Sequence, residues 1–301
     1  MPTIYRHLAV AAVAATAIAL SSCAPADETG EDPDATESAD AGTDTSESTA
    51  DECTPDTMET LTPGTLTIAT DAPAYEPWFV DDDPTNGQGY ESAVAYAIAE
   101  QLGYTDDQVT WVTVPFNKVV QPGPKDFDFD VNQVSITEER RNAVDFSSGY
   151  YDVRQTVITT KGSALDGATS VSELADAKLG AQVGTTSLTA IEEQVQPSED
   201  PAVFDTNDQA VQSLKNGQID GVVVDLPTAY FMTAVQLEDG VIVGQLPLPE
   251  GAEVEQFGAV LDKGSPLTAC VSQAVDTLRT DGILDQIADQ WLEQQGAPEL
   301  S

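Results

Sequence analysis

Between residues 65 and 291 the sequence alternates short apolar runs with helical stretches, and this alternation is what most limits the fold. Residues 65–69 read as a buried strand. Residues 91–102 place Ala93, Val94, Ala97, Ile98 and Leu102 on one helical face, with Gly103 as the stop. Residues 109–114 and 129–134 are strand-like, and a helix opens at Glu138. Strand-like runs recur at 156–160, 178–183 and 219–224, with helices near 187–195 and 208–216. Pro227 stands where a further helix would start. Residues 271–291 form two helical runs broken at Asp281-Gly282. Such alternation predicts an α/β fold with largely parallel sheets. Periodicity alone leaves one sheet or two open.

The first 23 residues read as a targeting segment. Arg6 precedes an apolar run over 8–20, too short to span a bilayer comfortably. Leu20-Ser21-Ser22-Cys23 resembles a lipobox, whose cysteine becomes the lipid-modified first residue of the mature chain. The other reading is an ordinary signal peptide with a chance cysteine. A two-chain lipid would hold the protein stably on the outer face of a membrane. Residues 24–56 carry twelve Asp or Glu, no Lys or Arg and no aromatic residue. Such a stretch cannot bury enough apolar surface to offset its ordering entropy, so it is expected to be a disordered tether. As a flexible coil it would reach roughly 30 Å.

Beyond residue 56 the chain has forty Asp or Glu against ten Lys or Arg. That excess argues against nucleic acid and against anionic partners. The only histidine, His7, lies in the targeting segment. The mature chain then lacks Ser/His and Cys/His catalytic pairs and His-based metal sites. With Cys23 lipidated, Cys53 and Cys270 remain, and an exported protein favours their pairing as a disulfide. The acidic run Asp81-Asp82-Asp83-Pro84-Thr85-Asn86-Gly87 fails the calcium-loop spacing, since Pro84 and Ala93 would take the third and twelfth places. It is expected to be an exposed turn. No metal or cofactor is expected.

Thr137 reads as a helix N-cap followed by two acids, Glu138 and Glu139. Arg140 then falls in the first turn, the wrong end of the dipole for a cation. Its charge must be met elsewhere, either by a surface acid or by a carboxylate held in two parallel bonds.

The stretch Ser135-Ile136-Thr137-x-x-Arg140, then Val144-Asp145-Phe146-Ser147 and Tyr150-Tyr151, resembles the ligand-carboxylate motif of family 3 solute-binding proteins. These are extracytoplasmic receptors of bacterial ABC importers for polar amino acids. The similarity runs from about Gly64 to Trp291. Its other pieces come in the family's order: residues 66–71, Gly89-Tyr90-Glu91 before an alanine-rich helix, residues 180–186, and residues 216–225. The resemblance implies a two-lobed periplasmic-binding-protein-like fold of type II, with the ligand cleft between lobes. One lobe would be 64–152 plus 250–301 and the other 153–249, with crossings near 152–154 and 246–255. It implies a monomeric lipoprotein, anchored outside the cell membrane, that closes on a polar amino acid and delivers it to permease subunits.

The resemblance also assigns roles. Arg140 would clamp the ligand carboxylate with Ser135, and the backbone N–H groups of Thr185 and Thr186 would face it from the second lobe. Asp225 would take the ammonium group; its other reading is a helix N-cap. Tyr75 and Phe116 would stack on the ligand, or else pack in the core. Gln133, with Asn132, places large amides where relatives have small residues, and Gln182 adds another. Neutral polar amino acids are therefore favoured over acidic ones. The chain departs from the family at Asp71-Ala72-Pro73-Ala74-Tyr75, which has an extra residue, and at Gln121-Pro122-Gly123-Pro124, which interrupts a helical segment. The role of Asp71 stays open. Two other functions fit the same residues. One is an enzyme similar to cyclohexadienyl dehydratase, using carboxylates such as Asp71 or Glu76. The other is a sensor lipoprotein. The expectation is a receptor and not an enzyme.

Overall fold

A computed structural model describes residues 53–248, 251–292 and 296–301. The targeting segment, Cys23 and the tether up to residue 52 lie outside the described residues, as does part of the return crossing.

Among the described residues ten strands form two five-stranded sheets. In chain order they are β1 (Leu66–Thr70), β2 (Val109–Thr113), β3 (Phe129–Asp130), β4 (Asp145–Val153) and β5 (Gln155–Thr160). There follow β6 (Leu179–Gln182), β7 (Ala202–Phe204), β8 (Gly221–Asp225), β9 (Gly240–Gln245) and β10 (Glu255–Leu261). The α-helices are α1 (Tyr90–Gln101), α2 (Phe116–Val119), α3 (Glu138–Arg141), α4 (Thr186–Ala190), α5 (Asn207–Lys215), α6 (Leu226–Phe231), α7 (Thr268–Thr280) and α8 (Ile283–Trp291).

The first sheet has the order β2-β1-β3-β10-β4 and the second β7-β6-β8-β5-β9. Each belongs to one lobe, and the fold is the two-lobed type II arrangement. The sheets are mixed where parallel ones were expected. β1 runs parallel to β2 and β3, but β10 lies antiparallel to both β3 and β4. Likewise β6 is parallel to β7 and β8, but β5 is antiparallel to β8 and β9. The reason is the crossing. β4 passes into β5 through Arg154 alone, and β10 returns beside β4 with Glu255 opposite Val153. A strand that leaves one lobe and a strand that comes back must run in opposite directions.

β1 is buried on both faces, as its unbroken Leu-Thr-Ile-Ala run requires. α1 starts at Gly89, which has φ 95° and a backbone so close to Trp78 that a Cβ would meet its carbonyl oxygen at 2.4 Å. The buried side of α1 carries Val94, Ala95, Ile98 and Ala99. Ala93 and Ala97, expected on that face, are only partly buried. In an alanine-rich helix the sequence hardly marks which side faces in.

Residues 296–301 were expected with the first lobe but pack on the second. Gln245 N–H donates to the Pro298 carbonyl at 2.8 Å, and Leu300 N–H to the Gln245 carbonyl at 2.9 Å. Leu300 fills the core of the second lobe beside Val157, Leu179 and Val223. A single apolar residue near a chain end carries no periodicity that could have placed it. The Cys53–Cys270 disulfide is present and ties the entry of the described chain to α7, with a Cα–Cα distance of 5.4 Å.

Candidate functional site

The carboxyl ends of β1, β6 and β8 meet between the lobes, where open α/β sheets place ligands. A cavity of about 70 Å³ lies there, room for a few waters at ~10–15 Å³ each. Tyr75, Phe116, Gln133, Ser135, Arg140, Gln182, Thr185, Thr186 and Asp225 all line it. A larger groove of about 830 Å³ lies beside the disulfide, but its lining has acids and no cation to meet a carboxylate.

Arg140 is held from three sides. Thr137 Oγ1 caps α3 by accepting from the Arg140 N–H at 3.1 Å. Nη1 donates to the Ser135 carbonyl at 2.7 Å, and Nη2 donates across the cleft to the Gly184 carbonyl at 2.9 Å. The guanidinium lies over the Phe116 ring, 5.5 Å from its centroid. Burial lowers the Arg140 pKa, and the carboxylates of Glu255 and Glu139 act the other way. A guanidinium stays charged under such a shift and keeps N–H groups to offer.

Asp225 ends β8 on the opposite wall. It also caps α6, accepting from the Thr228 N–H at 3.1 Å. The helix-cap reading holds, since one oxygen caps α6, and the residue also lines the cavity. Burial pushes its pKa up to about 6 against the Thr228 bonds, and nearby Glu255 adds to the rise. An ammonium group beside it would reverse that shift.

The neutral residues divide between pocket and scaffold. Thr185 caps α4, accepting from the Leu188 N–H at 3.2 Å and donating to the Gln182 carbonyl at 2.7 Å. Gln182 Oε1 accepts from the Asn207 N–H at 3.0 Å, which fixes the start of α5. Gln133 takes a left-handed backbone, φ 48°, and donates its backbone N–H to Glu91 Oε1 at 2.7 Å. Its amide nitrogen also donates to Glu91, which commits one end of the side chain while the residue lines the cavity. Glu91 is fully buried and accepts from the Tyr150 hydroxyl as well. Burial pushes Glu91 up to about 7 against these bonds. Burial raises the Tyr75 pKa, and the nearby Asp208 carboxylate of the second lobe adds to the rise.

Several lining residues were not singled out in the sequence. Gln155, Ser187 and Asn207 lie in the second lobe, and Asn132 in the first had been noted only for its size. Asp71, left open, does face the cavity; its oxygens accept from the Ala72 N–H at 2.7 Å and the Phe116 N–H at 3.1 Å. Glu76 is exposed and is not among the lining residues. The match of residues 66–71 to the family pointed to Asp71, while the extra residue before Tyr75 left its role open. Gln155 had none, because a glutamine at a strand start is unremarkable.

The chain is similar to known amino-acid-binding proteins. A probable histidine-binding protein of Campylobacter jejuni is 28% identical over 233 residues, covering 75% of this chain and 84% of its own. An ancestral arginine-binding protein, solved with arginine bound, is 30% identical with a TM-score of 0.61, covering 76% of this chain and 98% of its own. An ancestral amino acid-binding protein, described as a precursor of cyclohexadienyl dehydratase, is 29% identical with a TM-score of 0.61, covering 76% and 95%. Residues 66–294 match one family throughout, so the chain belongs to the bacterial extracellular solute-binding proteins, family 3.

Proposed function

We propose that this chain captures an amino acid with a non-acidic side chain between its lobes and hands it to an ABC importer. The observation that carries this reading is that Arg140 and Asp225 line opposite walls of one cavity, one from each lobe. An α-amino acid presents a carboxylate and an ammonium group close together, so it matches that pair. Asp71 adds a second carboxylate to the lining. One cation against two acids disfavours glutamate and aspartate and leaves room for a neutral or cationic side chain. One named relative is described as a probable histidine-binding protein and another was solved with arginine bound, which supports the same reading.

The remaining assignments follow from it. Tyr75 and Phe116 flank the ligand, Ser135 and Thr186 meet its carboxylate, and Gln133 and Gln182 shape the pocket. The boundary between lobes falls at Arg154 and in the 246–255 return. The protein acts as a monomer held outside the membrane by a lipid on Cys23. Among the described residues no helix is long and apolar enough to cross a membrane, which is compatible with such an anchor. The protein is a receptor and catalyses no reaction. Thermal-shift and calorimetric titration against the twenty amino acids tests this. Stabilisation by arginine, histidine or glutamine is expected, and stabilisation by glutamate or aspartate alone would overturn it. Turnover of any hit would mark the enzyme instead.

A further inference from the structure

Glu255 was not anticipated as a functional residue, yet it stands where the two lobes and the carboxylate seat meet. It is the first residue of β10 and pairs with Val153, so it sits between the two crossing strands. Its Oε1 accepts from the Ser135 hydroxyl of the first lobe and from the Thr186 hydroxyl of the second, the latter at 2.5 Å. Oε2 accepts from Gln155 Nε2 at 3.2 Å. Gln155 is itself oriented by the Ser187 hydroxyl, which donates to its Oε1 at 2.6 Å. The two hydroxyl oxygens lie 3.2 Å apart.

Each hydroxyl has one proton to give. If Ser135 and Thr186 donate to Glu255, neither can donate to a ligand carboxylate. We propose that Glu255 is an internal stand-in for the ligand carboxylate: it latches the lobes without a ligand and competes with the ligand for these two protons. This rests on the reading that the ligand carboxylate lies at Arg140, Ser135 and Thr186. Its charge acts on both ends of the seat, since it bears on Arg140 and on Asp225. A carboxylate so placed also repels a ligand carboxylate. Glu255 thus lowers affinity and raises the share of closed molecules when no ligand is present. It is a positioning and affinity-setting residue, and its partners Gln155 and Ser187 set its orientation.

The test uses Glu255→Gln, which removes the charge, and Glu255→Ala, which removes every acceptor. Folding is checked by thermal melts, and Glu255→Gln carries the test if the alanine variant unfolds. Small-angle scattering without ligand reads the latch by itself. Both variants should have a larger radius of gyration than the wild type, more so for alanine. An unchanged radius would overturn the latch. Titration with L-arginine, L-histidine and L-glutamine reads the competition. Affinity for whichever binds the wild type should rise about tenfold, the worth of one charged hydrogen bond. Equal or weaker affinity, the outcome expected of a merely structural residue, would overturn the competition. Expanded variants with no binding of any amino acid, even by the wild type, would support the latch and overturn the reading of the site.

Discussion

Trp78 of the first lobe donates its indole N–H to the Thr228 hydroxyl of the second at 2.9 Å, and both residues are buried. Thr228 is also the residue whose backbone N–H is capped by Asp225. One contact therefore joins the aromatic cluster of Trp78, Tyr90, Tyr151 and Phe257 to the wall that carries Asp225. Thr228→Val keeps the shape and the backbone cap but leaves the indole N–H unmatched in the closed form. Ligand affinity should fall by about 1–3 kcal/mol. Calorimetry with a confirmed amino acid reads this directly, and an unchanged constant would show that the bond does nothing for closure.

Arg140→Ala should weaken amino-acid binding by roughly 2–5 kcal/mol, because a buried carboxylate would lose its charged partner. Arg140→Lys should restore only part, since an ammonium cannot donate from a planar fork. Thermal melts without ligand should change little beside the loss in affinity. Full affinity in the alanine variant removes Arg140 from the site.

Binding should weaken on acidification below pH 6. The Asp225 carboxyl titrates at about 6 in the ligand-free protein because burial disfavours its charge. A ligand ammonium favours the charged form and lowers that value in the complex, so the ligand binds best above pH 6. Affinity should fall up to tenfold for each unit below it. Asp225→Asn should bind weakly at every pH with a flatter profile. A wild-type constant that is level between pH 7 and pH 5 rules this role out.

Folding stability has the opposite slope in the same window. Glu91 and Asp225 hold their protons up to about 7 and about 6 in the folded chain. The unfolded values lie near 4. Between those limits the folded protein binds more protons, so their contribution is largest below about pH 4 and is lost as pH rises through 6 and 7. The ligand-free melting temperature should therefore rise between pH 8 and pH 6. Glu91→Gln should flatten that rise, and an identical slope in the variant would exclude Glu91 as its source.

The disulfide closes a loop of 217 residues between Cys53 and Cys270. Chain entropy places its worth at up to about 5 kcal/mol. Replacing both cysteines by serine should lower the urea midpoint, with ligand affinity near that of the wild type, because the bond lies away from the cavity lining. Thiol titration of the unreduced, unfolded protein should find neither Cys53 nor Cys270 free.

The sequence by itself determined the local chemistry. Alternating apolar runs marked β1, β6 and β8, and Thr137 before two acids marked the cap that positions Arg140. Motifs in the family's order singled out nine residues that line one cavity. These were legible because each depends on a spacing of a few residues: a strand end, a helix start, a cap. Only the tertiary structure decided what depends on distant pairing. β10 has no distinctive pattern, yet it runs antiparallel beside β3 and β4 and makes the sheet mixed. Leu300 found its partners on the far lobe. Gln133 lines the cavity and also donates its amide to Glu91, a residue 42 positions earlier. Glu255 meets Ser135 and Thr186, which lie 120 and 69 positions away. A carboxylate's partners are chosen by where the chain crossings place it, and nothing within a few residues of Glu255 carries that information.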